Sequence, residues 1–224
     1  MRILYEDPYL ILAEKDAGMP SQPDKTGDGD LLSLLRAEQA KRGDKYEAEL
    51  VHRLDRGTGG VMLYAKGSAM AAKLSALLSA REIRKEYLAA LTSPPPEPSG
   101  TMRDTLLHDT ARNISRVVPA GTKGAKDAVL HYETVAEADG MTLVLVRLET
   151  GRTHQIRIQF GSRGCPLSGD GKYGAKNGGA LGLWSFRLSL PHPMHRKETV
   201  SACSMPEGGA FERFAEAIRA LAGA

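Results

Sequence analysis

The 224-residue sequence has few of the residues and patterns that mark several whole classes of protein. Its two cysteines, Cys165 and Cys203, are too few for a disulfide framework, and their separation does not match a metal-ligand pair. No apolar run reaches the roughly 18 residues that a transmembrane helix needs, and the first residues lack the apolar stretch of a signal peptide. These absences exclude the secreted, disulfide-rich and membrane classes and predict a cytoplasmic protein.

Charge and hydropathy are close to the average for globular proteins. Charged residues make up 25% of the chain and hydrophobic residues 42%, which excludes a globally disordered protein. A chain of this length can bury a substantial core, so we expect one domain over residues 1–224. The formal net charge of +3 is compatible with an RNA partner but does not by itself indicate one.

Hydrophobic patterning predicts short strands interspersed with a few helices. Asp30 is expected to cap a helix that begins at Leu31 and ends at Gly43, and Ser68 to cap a second helix. Strands are predicted at 2–4, 9–14, 61–65, 84–91, 129–135, 141–148 and 183–190, with a turn at 139–140, and further helices at 153–162 and 211–221. Residues 16–30 and 164–182 are predicted to form loops, and residues 101–127 are polar and mixed in character. The proline-rich residues 93–100 are predicted to connect two strands of one sheet. This pattern predicts an α+β fold with a mixed, mainly antiparallel central sheet and flanking helices and loops.

Two segments contain combinations of residues that are suited to catalysis. In residues 51–66, Asp55 lies between Arg53 and Arg56 and is followed by three glycines, so its carboxylate is expected on a tight loop that backbone or ligand can approach closely. In residues 150–160, His154 and Arg157 are three positions apart and are predicted to share one helical face. An arginine near a buried aspartate keeps the carboxylate ionised. Each feature alone is more typical of a surface ion pair or a solvated helix face.

In combination and in this order, the motifs resemble those of the RluA-type pseudouridine synthases. The resemblance is carried by His52-Arg53-Leu54-Asp55 with Thr58 and Gly60, by Arg84-Lys85-Glu86-Tyr87-Leu88-Ala89, by Gly151-Arg152-Thr153-His154-Gln155-Ile156-Arg157, by residues 164–174, and by Leu183 followed by His192-Pro193. It extends from about residue 3 to about residue 206.

The resemblance implies a pseudouridine-synthase fold and the isomerisation of uridine within RNA. In that reaction the bond from ribose C1′ to uracil N1 breaks and a bond from C1′ to C5 forms, so the nucleotide must leave its stack and enter a pocket. Asp55 matches the indispensable aspartate of the family. Whether it attacks the sugar, attacks the base or abstracts a sugar proton stays open, since all three routes need a carboxylate partly shielded from water. Neither a metal nor an organic cofactor is implied.

The resemblance also assigns roles to five further residues. Tyr87 matches the tyrosine that stacks on the target base and is a candidate for handling the C5 proton, and Arg157 matches the basic residue that pairs with the catalytic aspartate. Leu183 matches the aliphatic residue that packs beneath the uracil. Arg53 matches the side chain that fills the space left by the flipped base, and Arg56 is a candidate for a phosphate contact.

The expected partner is structured RNA. Because the catalytic motifs begin only about 50 residues into the chain, no separate N-terminal RNA-binding domain is expected. RNA contacts are then expected from Arg81, Arg84 and Lys85 around Tyr87, and from loops at 103–126 and 163–176. This favours a compact element such as a stem-loop of ribosomal or transfer RNA, bound by a monomer.

Two other functions are compatible with parts of the sequence. The family has a serine where this chain has Gly59, a departure for which we expect altered loop packing and not loss of activity. The same departure supports an RNA-binding or chaperone-like protein without turnover, whereas the joint presence of Asp55, Tyr87 and Arg157 argues against it. A hydrolase that uses Asp55 and a histidine lacks a nucleophile elbow or any placed serine.

Overall fold

The computed structural model describes residues 1–223 of the chain. Contacts between backbone positions divide the chain into two compact units. Unit 1 consists of Met1–Lys85 and Ser185–Pro206, and unit 2 of Glu86–Trp184 and Glu207–Ala224. The single domain expected over residues 1–224 stays a prediction.

Eleven strands and four α-helices form the described part of the chain. The strands are β1 (Arg2–Glu6), β2 (Leu10–Lys15), β3 (Ala48–Leu50), β4 (Gly59–Lys66), β5 (Arg84–Leu91), β6 (Ser99–Asp109), β7 (Ile114–Val118), β8 (Lys126–Ala138), β9 (Met141–Leu148), β10 (Leu183–Pro191) and β11 (Thr199–Cys203). The helices are α1 (Leu31–Arg42), α2 (Ser68–Ser79), α3 (Gln155–Gly161) and α4 (Ala215–Ala222), with 3-10 helices at Gly171–Tyr173 and Gly209–Phe214. None of these helices has both the length and the apolar character needed to cross a membrane.

The strands of unit 1 are in the order β1-β2-β4-β10, with β3 paired to β4 and β11 paired to β10. Leu12 lies opposite Leu63 in the antiparallel pair of β2 and β4. Alternate residues of the strands and one face of α2 form the core, because strand side chains alternate between faces while helical ones recur every three or four positions. Its members are Leu10, Leu12, Val61, Leu63, Ala65, Met70, Leu74, Leu77, Ile83, Leu188, Leu190 and Val200.

Helix α1 begins and ends where the sequence predicts. The Asp30 carboxylate accepts a hydrogen bond from Ser33 N at 3.0 Å, which satisfies one of the amides at the start of the helix. Gly43 has a φ of 71° and closes the C-terminus, with its N–H donating to Ala40 O at 3.1 Å. The second helix differs slightly from its prediction, since Gly67 occupies the cap position and Ser68 is the first helical residue.

The strands of unit 2 are in the order β5-β9-β8-β6-β7, and all four neighbouring pairs are antiparallel. The predicted turn between β8 and β9 is confirmed, with Asp139 (φ 49°) and Gly140 (φ 72°) both left-handed, as tight hairpins prefer. Helix α3 packs on this sheet through Phe160, whose ring meets that of Tyr132 edge-on at 5.4 Å. Together the two units confirm the predicted α+β class with a mostly antiparallel sheet.

The prediction of a loop at 103–126 is wrong. Strands β6 and β7 pair as a hairpin, with Leu106 opposite Val117, and β6 also pairs with β8 from Ser99 onward. Only Met102 and Leu106 of β6 are buried, so the sequence lacks the regular apolar alternation that predicts a strand. Backbone hydrogen bonds to two neighbouring strands decide its conformation instead.

The predicted helix at 153–162 is shorter in the structure. α3 begins at Gln155, and the preceding His154 has a left-handed backbone with φ of 56°, which no residue within an α-helix adopts. His154 and Arg157 therefore do not share a helical face. The C-terminal helix likewise begins as 3-10 structure and continues as α4, and the short strands β3 and β11 were not predicted.

Candidate active site

Asp55 lies in unit 1, on the irregular connection between β3 and β4. Thr58 N donates to the Asp55 carbonyl at 2.9 Å, which closes a tight turn immediately after the carboxylate. On the other side, Leu54 N donates to Ser21 Oγ at 3.1 Å, and the Ser21 hydroxyl donates to Leu54 O at 3.0 Å. The backbone is therefore held on both sides of Asp55, whose half-buried side chain is partly shielded from water.

A buried lysine supports the same loop. Lys15 is fully buried at the end of β2, and its ammonium group donates to the carbonyl oxygens of Asp16 (3.0 Å), Met19 (2.6 Å) and Arg56 (3.1 Å). Burial lowers the pKa of Lys15 to about 8, and the negative charges of Asp16 and Asp55 limit this decrease. The ammonium group of Lys15 thus holds the loop that carries Asp55 from the protein interior.

The guanidinium of Arg56 is held by its own chain. Its Nε donates to Gly18 O at 2.9 Å and its Nη1 to Thr26 Oγ1 at 3.1 Å, and its Nη2 forms an ion pair with Asp28. The Arg56 side chain is nevertheless 46% exposed, so it remains accessible at the surface. Arg53, two positions before Asp55, is exposed. The phosphate contact of Arg56 and the space-filling role of Arg53 stay predictions.

His52 connects the start of this loop to β4. Its Nε2 accepts a hydrogen bond from Leu63 N at 3.2 Å, so this nitrogen carries no proton. Loss of solvation, followed by the nearby charge of Lys85, lowers the pKa of His52 to about 3. His52 is therefore neutral at physiological pH and accepts a hydrogen bond from the backbone, which is a structural role.

Gly60 allows β10 to approach the end of the loop. It has a φ of 109°, and a Cβ atom at this position would lie 2.1 Å from Ser185 O. The Ser185 hydroxyl donates to Val61 O at 2.9 Å, which fixes the neighbouring backbone. The close backbone approach predicted for the glycines after Asp55 is thus present at Gly60.

Tyr87 and Leu183 lie on adjacent segments of unit 2. Tyr87 is 6% exposed in β5 and lies opposite Val146 of β9. Leu183 is 5% exposed, and its neighbour Gly182 accepts a hydrogen bond from Ala90 N of β5 at 2.9 Å. Both side chains are buried, which suits either a core position or the wall of a pocket.

Arg157 projects from α3 and forms an ion pair with Asp170 at 2.7 Å. Asp170 belongs to the segment that connects α3 to β10, and Ser168 of this segment donates its N–H to Ala90 O at 2.8 Å. Unit 2 therefore groups the elements that carry Tyr87, Arg157 and Leu183, while unit 1 holds the remaining three candidates on one loop. The pairing of Arg157 with Asp55 stays a prediction.

A family of known proteins matches most of the chain. The sequence profile described as RNA pseudouridylate synthase matches residues 9–162. The chain belongs to the RNA pseudouridylate synthase family. This confirms the resemblance found from the sequence motifs, and the members of this family are isomerases that convert uridine to pseudouridine.

Several individual synthases resemble the chain. It is 30% identical over 209 residues to the uncharacterized RNA pseudouridine synthase YhcT of Bacillus subtilis, covering 91% of this chain and 68% of that protein. It is 36% identical over 182 residues to ribosomal large subunit pseudouridine synthase D of Pseudomonas aeruginosa, covering 79% of this chain and 54% of that protein. The chain thus spans between about half and about two thirds of the length of these relatives.

A solved structure shows the same fold. Human RNA pseudouridylate synthase domain containing 4 superposes with a TM-score of 0.77 at 23% identity, covering 97% of this chain and 92% of that one. At this identity the similarity concerns the fold alone.

Sequence reasoning missed the support that Lys15 and Asp170 give to the candidate residues. Lys15 comes after four buried apolar residues of β2 and the half-buried Glu14. A charged residue that ends a mostly buried strand is a signal for a buried, hydrogen-bonded group. Asp170 stands between Gly169 and Gly171 in a motif that carried the resemblance, but no role was assigned to it. Among residues 1–223, no three His, Cys, Asp or Glu side chains are grouped so that they could hold a metal ion.

Proposed function

We propose that this chain is an RNA pseudouridine synthase that isomerises specific uridines in structured RNA, with Asp55 as its catalytic aspartate and with flipping of the target nucleotide. Family membership is the observation that carries the proposal. Several relatives are named ribosomal large subunit pseudouridine synthases, which favours ribosomal over transfer RNA as the substrate. A cytoplasmic location and a monomeric state remain predictions.

The reaction requires no redox partner. The C1′–N1 bond breaks, C1′ bonds to C5, the hydrogen at C5 leaves as a proton, and N1 becomes protonated. Bond formation and bond cleavage therefore balance within the nucleotide, and the protein has to supply a carboxylate, orientation and proton transfer.

The backbone around Asp55 supports its assignment. Hydrogen bonds at Leu54 and Thr58 restrict the loop on both sides, so the carboxylate is held before the substrate arrives. The buried ammonium of Lys15 donates to the carbonyl of Arg56 and so holds the same loop from the protein interior. A fixed, partly shielded carboxylate suits all three proposed routes, as a nucleophile toward sugar or base and as a base.

The other candidate residues take the roles that the family resemblance implies. We assign base stacking and handling of the C5 proton to Tyr87, packing beneath the uracil to Leu183, and the role of the family's basic partner to Arg157. Arg53 is assigned to the space left by the flipped base and Arg56 to a phosphate. Burial of Tyr87 and Leu183 and exposure of Arg53 are compatible with these roles.

Release of tritium from uracil C5 tests the proposal. RNA transcribed with [5-³H]uridine is incubated with the wild type, with Asp55→Asn and with Asp139→Asn. The last is a matched control, because Asp139 lies in the β8–β9 turn and asparagine tolerates its left-handed backbone. We expect release by the wild type and the control but none by Asp55→Asn, which should still bind RNA because phosphate contacts dominate affinity.

The competing function gives a different result. If the wild type binds ribosomal and transfer RNA but releases no tritium from either, the chain is an RNA-binding protein without turnover and the proposal is wrong. Release by Asp55→Asn at the wild-type rate would instead overturn the assignment of the catalytic aspartate.

A further inference from the structure

Asp170 binds the guanidinium of Arg157 through both carboxylate oxygens. Arg157 Nε donates to Oδ2 and Nη2 donates to Oδ1, each at 2.7 Å. The Asp170 side chain is 1% exposed and that of Arg157 is 12% exposed, so the pair is largely removed from water. A two-point contact of this kind fixes both the plane and the direction of a guanidinium.

The backbone around Asp170 is itself restrained. Its N–H donates to Leu167 O at 3.1 Å, and its carbonyl accepts from Tyr173 N at 3.0 Å and from Ala175 N at 3.1 Å. The preceding Gly169 has a φ of 71°, and a Cβ atom there would lie 2.3 Å from a backbone oxygen. Asp170 is therefore held in place before it contacts Arg157.

Tyr173 gives the guanidinium a second support from the same segment. The Arg157 Cζ lies 5.2 Å from the centre of the Tyr173 ring, a cation–π distance. The Tyr173 hydroxyl accepts a hydrogen bond from Ser115 N at 2.8 Å and shares another with His154 Nδ1 at 2.8 Å. Since His154 directly precedes α3, the tyrosine connects the segment to the start of the helix that carries Arg157.

We infer that Asp170 is a positioning residue for Arg157, and that the synthase activity proposed above depends on it. The carboxylate sets the direction of the guanidinium and offsets part of its charge. The main contribution of Arg157 to the proposed reaction is then its oriented N–H donors, and its net positive charge matters less. This inference rests on the proposed function for its effect on turnover, but the geometry that it describes does not.

A double-mutant cycle tests the effect on turnover. Asp170→Asn keeps the size of the side chain but turns an acceptor oxygen into an NH₂ group facing the guanidinium, and Arg157→Lys keeps the charge but not the two-point contact. We expect each to lower kcat for tritium release roughly 100-fold, as small misplacements of reacting groups do. The RNA Kd should change little, and the double variant should be no slower than either single one. Wild-type kcat in Asp170→Asn, or multiplicative losses in the double variant, would overturn the inference.

Glu6→Gln is a matched control in unit 1, outside the segments expected to contact RNA. Glu6 accepts hydrogen bonds from Arg42 Nη1 at 3.0 Å and from Arg42 Nη2 at 2.6 Å. The substitution therefore makes the same chemical change, from a carboxylate to an amide, in a two-point ion pair with an arginine. We expect kcat to stay at the wild-type value, and an equal loss of kcat in this control would show general damage and reject a positioning role.

A measurement without turnover separates the two proposals. In ¹⁵N NMR spectra the Arg157 Nε–H should exchange slowly with water, because a buried carboxylate accepts it, and Arg157→Lys identifies its signal. We expect slow exchange to be lost in Asp170→Asn and kept in Glu6→Gln. If it persists in Asp170→Asn the inference is wrong, whereas absence of tritium release by the wild type contradicts only the proposed function.

Discussion

The side-chain nitrogen of Lys15 lies 3.1 Å from the carbonyl oxygen of Arg56, the residue that follows Asp55. The same oxygen accepts a hydrogen bond from Gly18 N at 2.8 Å. Lys15 ends a core strand of unit 1, so a rigid element holds a loop that lies 41 positions later in the chain. Lys15 thus supports, from the protein interior, the loop that carries the proposed catalytic carboxylate. It does not itself need to contact RNA.

Replacing Lys15 should slow turnover because the loop that carries Asp55 loses its support. Lys15→Met fills a similar volume but removes the three hydrogen bonds to carbonyl oxygens, so we expect kcat for tritium release to fall about tenfold or more. Amide hydrogen exchange at Gly18 and Thr58 should accelerate, because their bonds to the loop backbone weaken. Lys41→Met, on the exposed surface of α1, is the control and should change neither quantity. Unchanged kcat in Lys15→Met would show that the loop does not depend on this contact.

The free energy of unfolding should rise with pH because the pKa of Lys15 is lower in the folded protein than in the unfolded chain. In the folded protein its pKa is about 8, against 10.5 without burial, so between these values the unfolded chain binds more protons. The free energy of unfolding should therefore increase with pH across this window, by up to about 3 kcal/mol, and be independent of Lys15 protonation below it. Urea unfolding at pH 7, 8, 9 and 10 measures this as the difference between the wild type and Lys15→Met. A difference that stays constant from pH 7 to 10 would contradict the lowered pKa.

Asp28 should weaken RNA binding because its ion pair with Arg56 competes with an RNA phosphate for the same guanidinium. Its carboxylate pairs with the guanidinium that we assign to an RNA phosphate, and both side chains are about half exposed. Asp28→Asn should therefore lower the RNA Kd by about threefold, since it releases a surface ion pair of modest strength. Asp44→Asn changes the net charge equally but affects the ion pair with Arg42 instead. Filter binding at fixed salt compares the two, and equal affinities would indicate that only net charge matters.

Gly60 should not tolerate a side chain. Gly60→Ala has to accommodate both a φ of 109° and a Cβ atom placed 2.1 Å from Ser185 O, so we expect a loss of more than about 2 kcal/mol in the free energy of unfolding. Gly43→Ala separates the two causes, because Gly43 has a φ of 71° with no atom within 4 Å of the added Cβ. It should cost only about 1 kcal/mol. Urea unfolding of both variants checks the difference, and equal losses would show that the close approach of Ser185 relaxes without cost.

The sequence predicted correctly those helix ends and turns that depend on a few adjacent residues. Asp30 and Gly43 bound α1, and the Asp139-Gly140 turn joins β8 to β9, because caps and turns depend on a few adjacent residues. β6 was missed because its conformation depends on pairing with β7 and β8 and not on its own apolar pattern. The left-handed His154 was missed for a similar reason, since its contact with Tyr173 comes from 19 positions later.

The sequence by itself determined the family, the α+β class and the identity of Asp55, Tyr87 and Arg157 as candidates, because motif order and residue chemistry are readable along the chain. Only the tertiary structure decided what supports them. Lys15 reaches Arg56 and Asp170 reaches Arg157 across 41 and 13 positions, and both contacts exist because folding buries a charged group that must then find a partner. Burial and partnership are properties of the packed chain, and no local pattern specifies them.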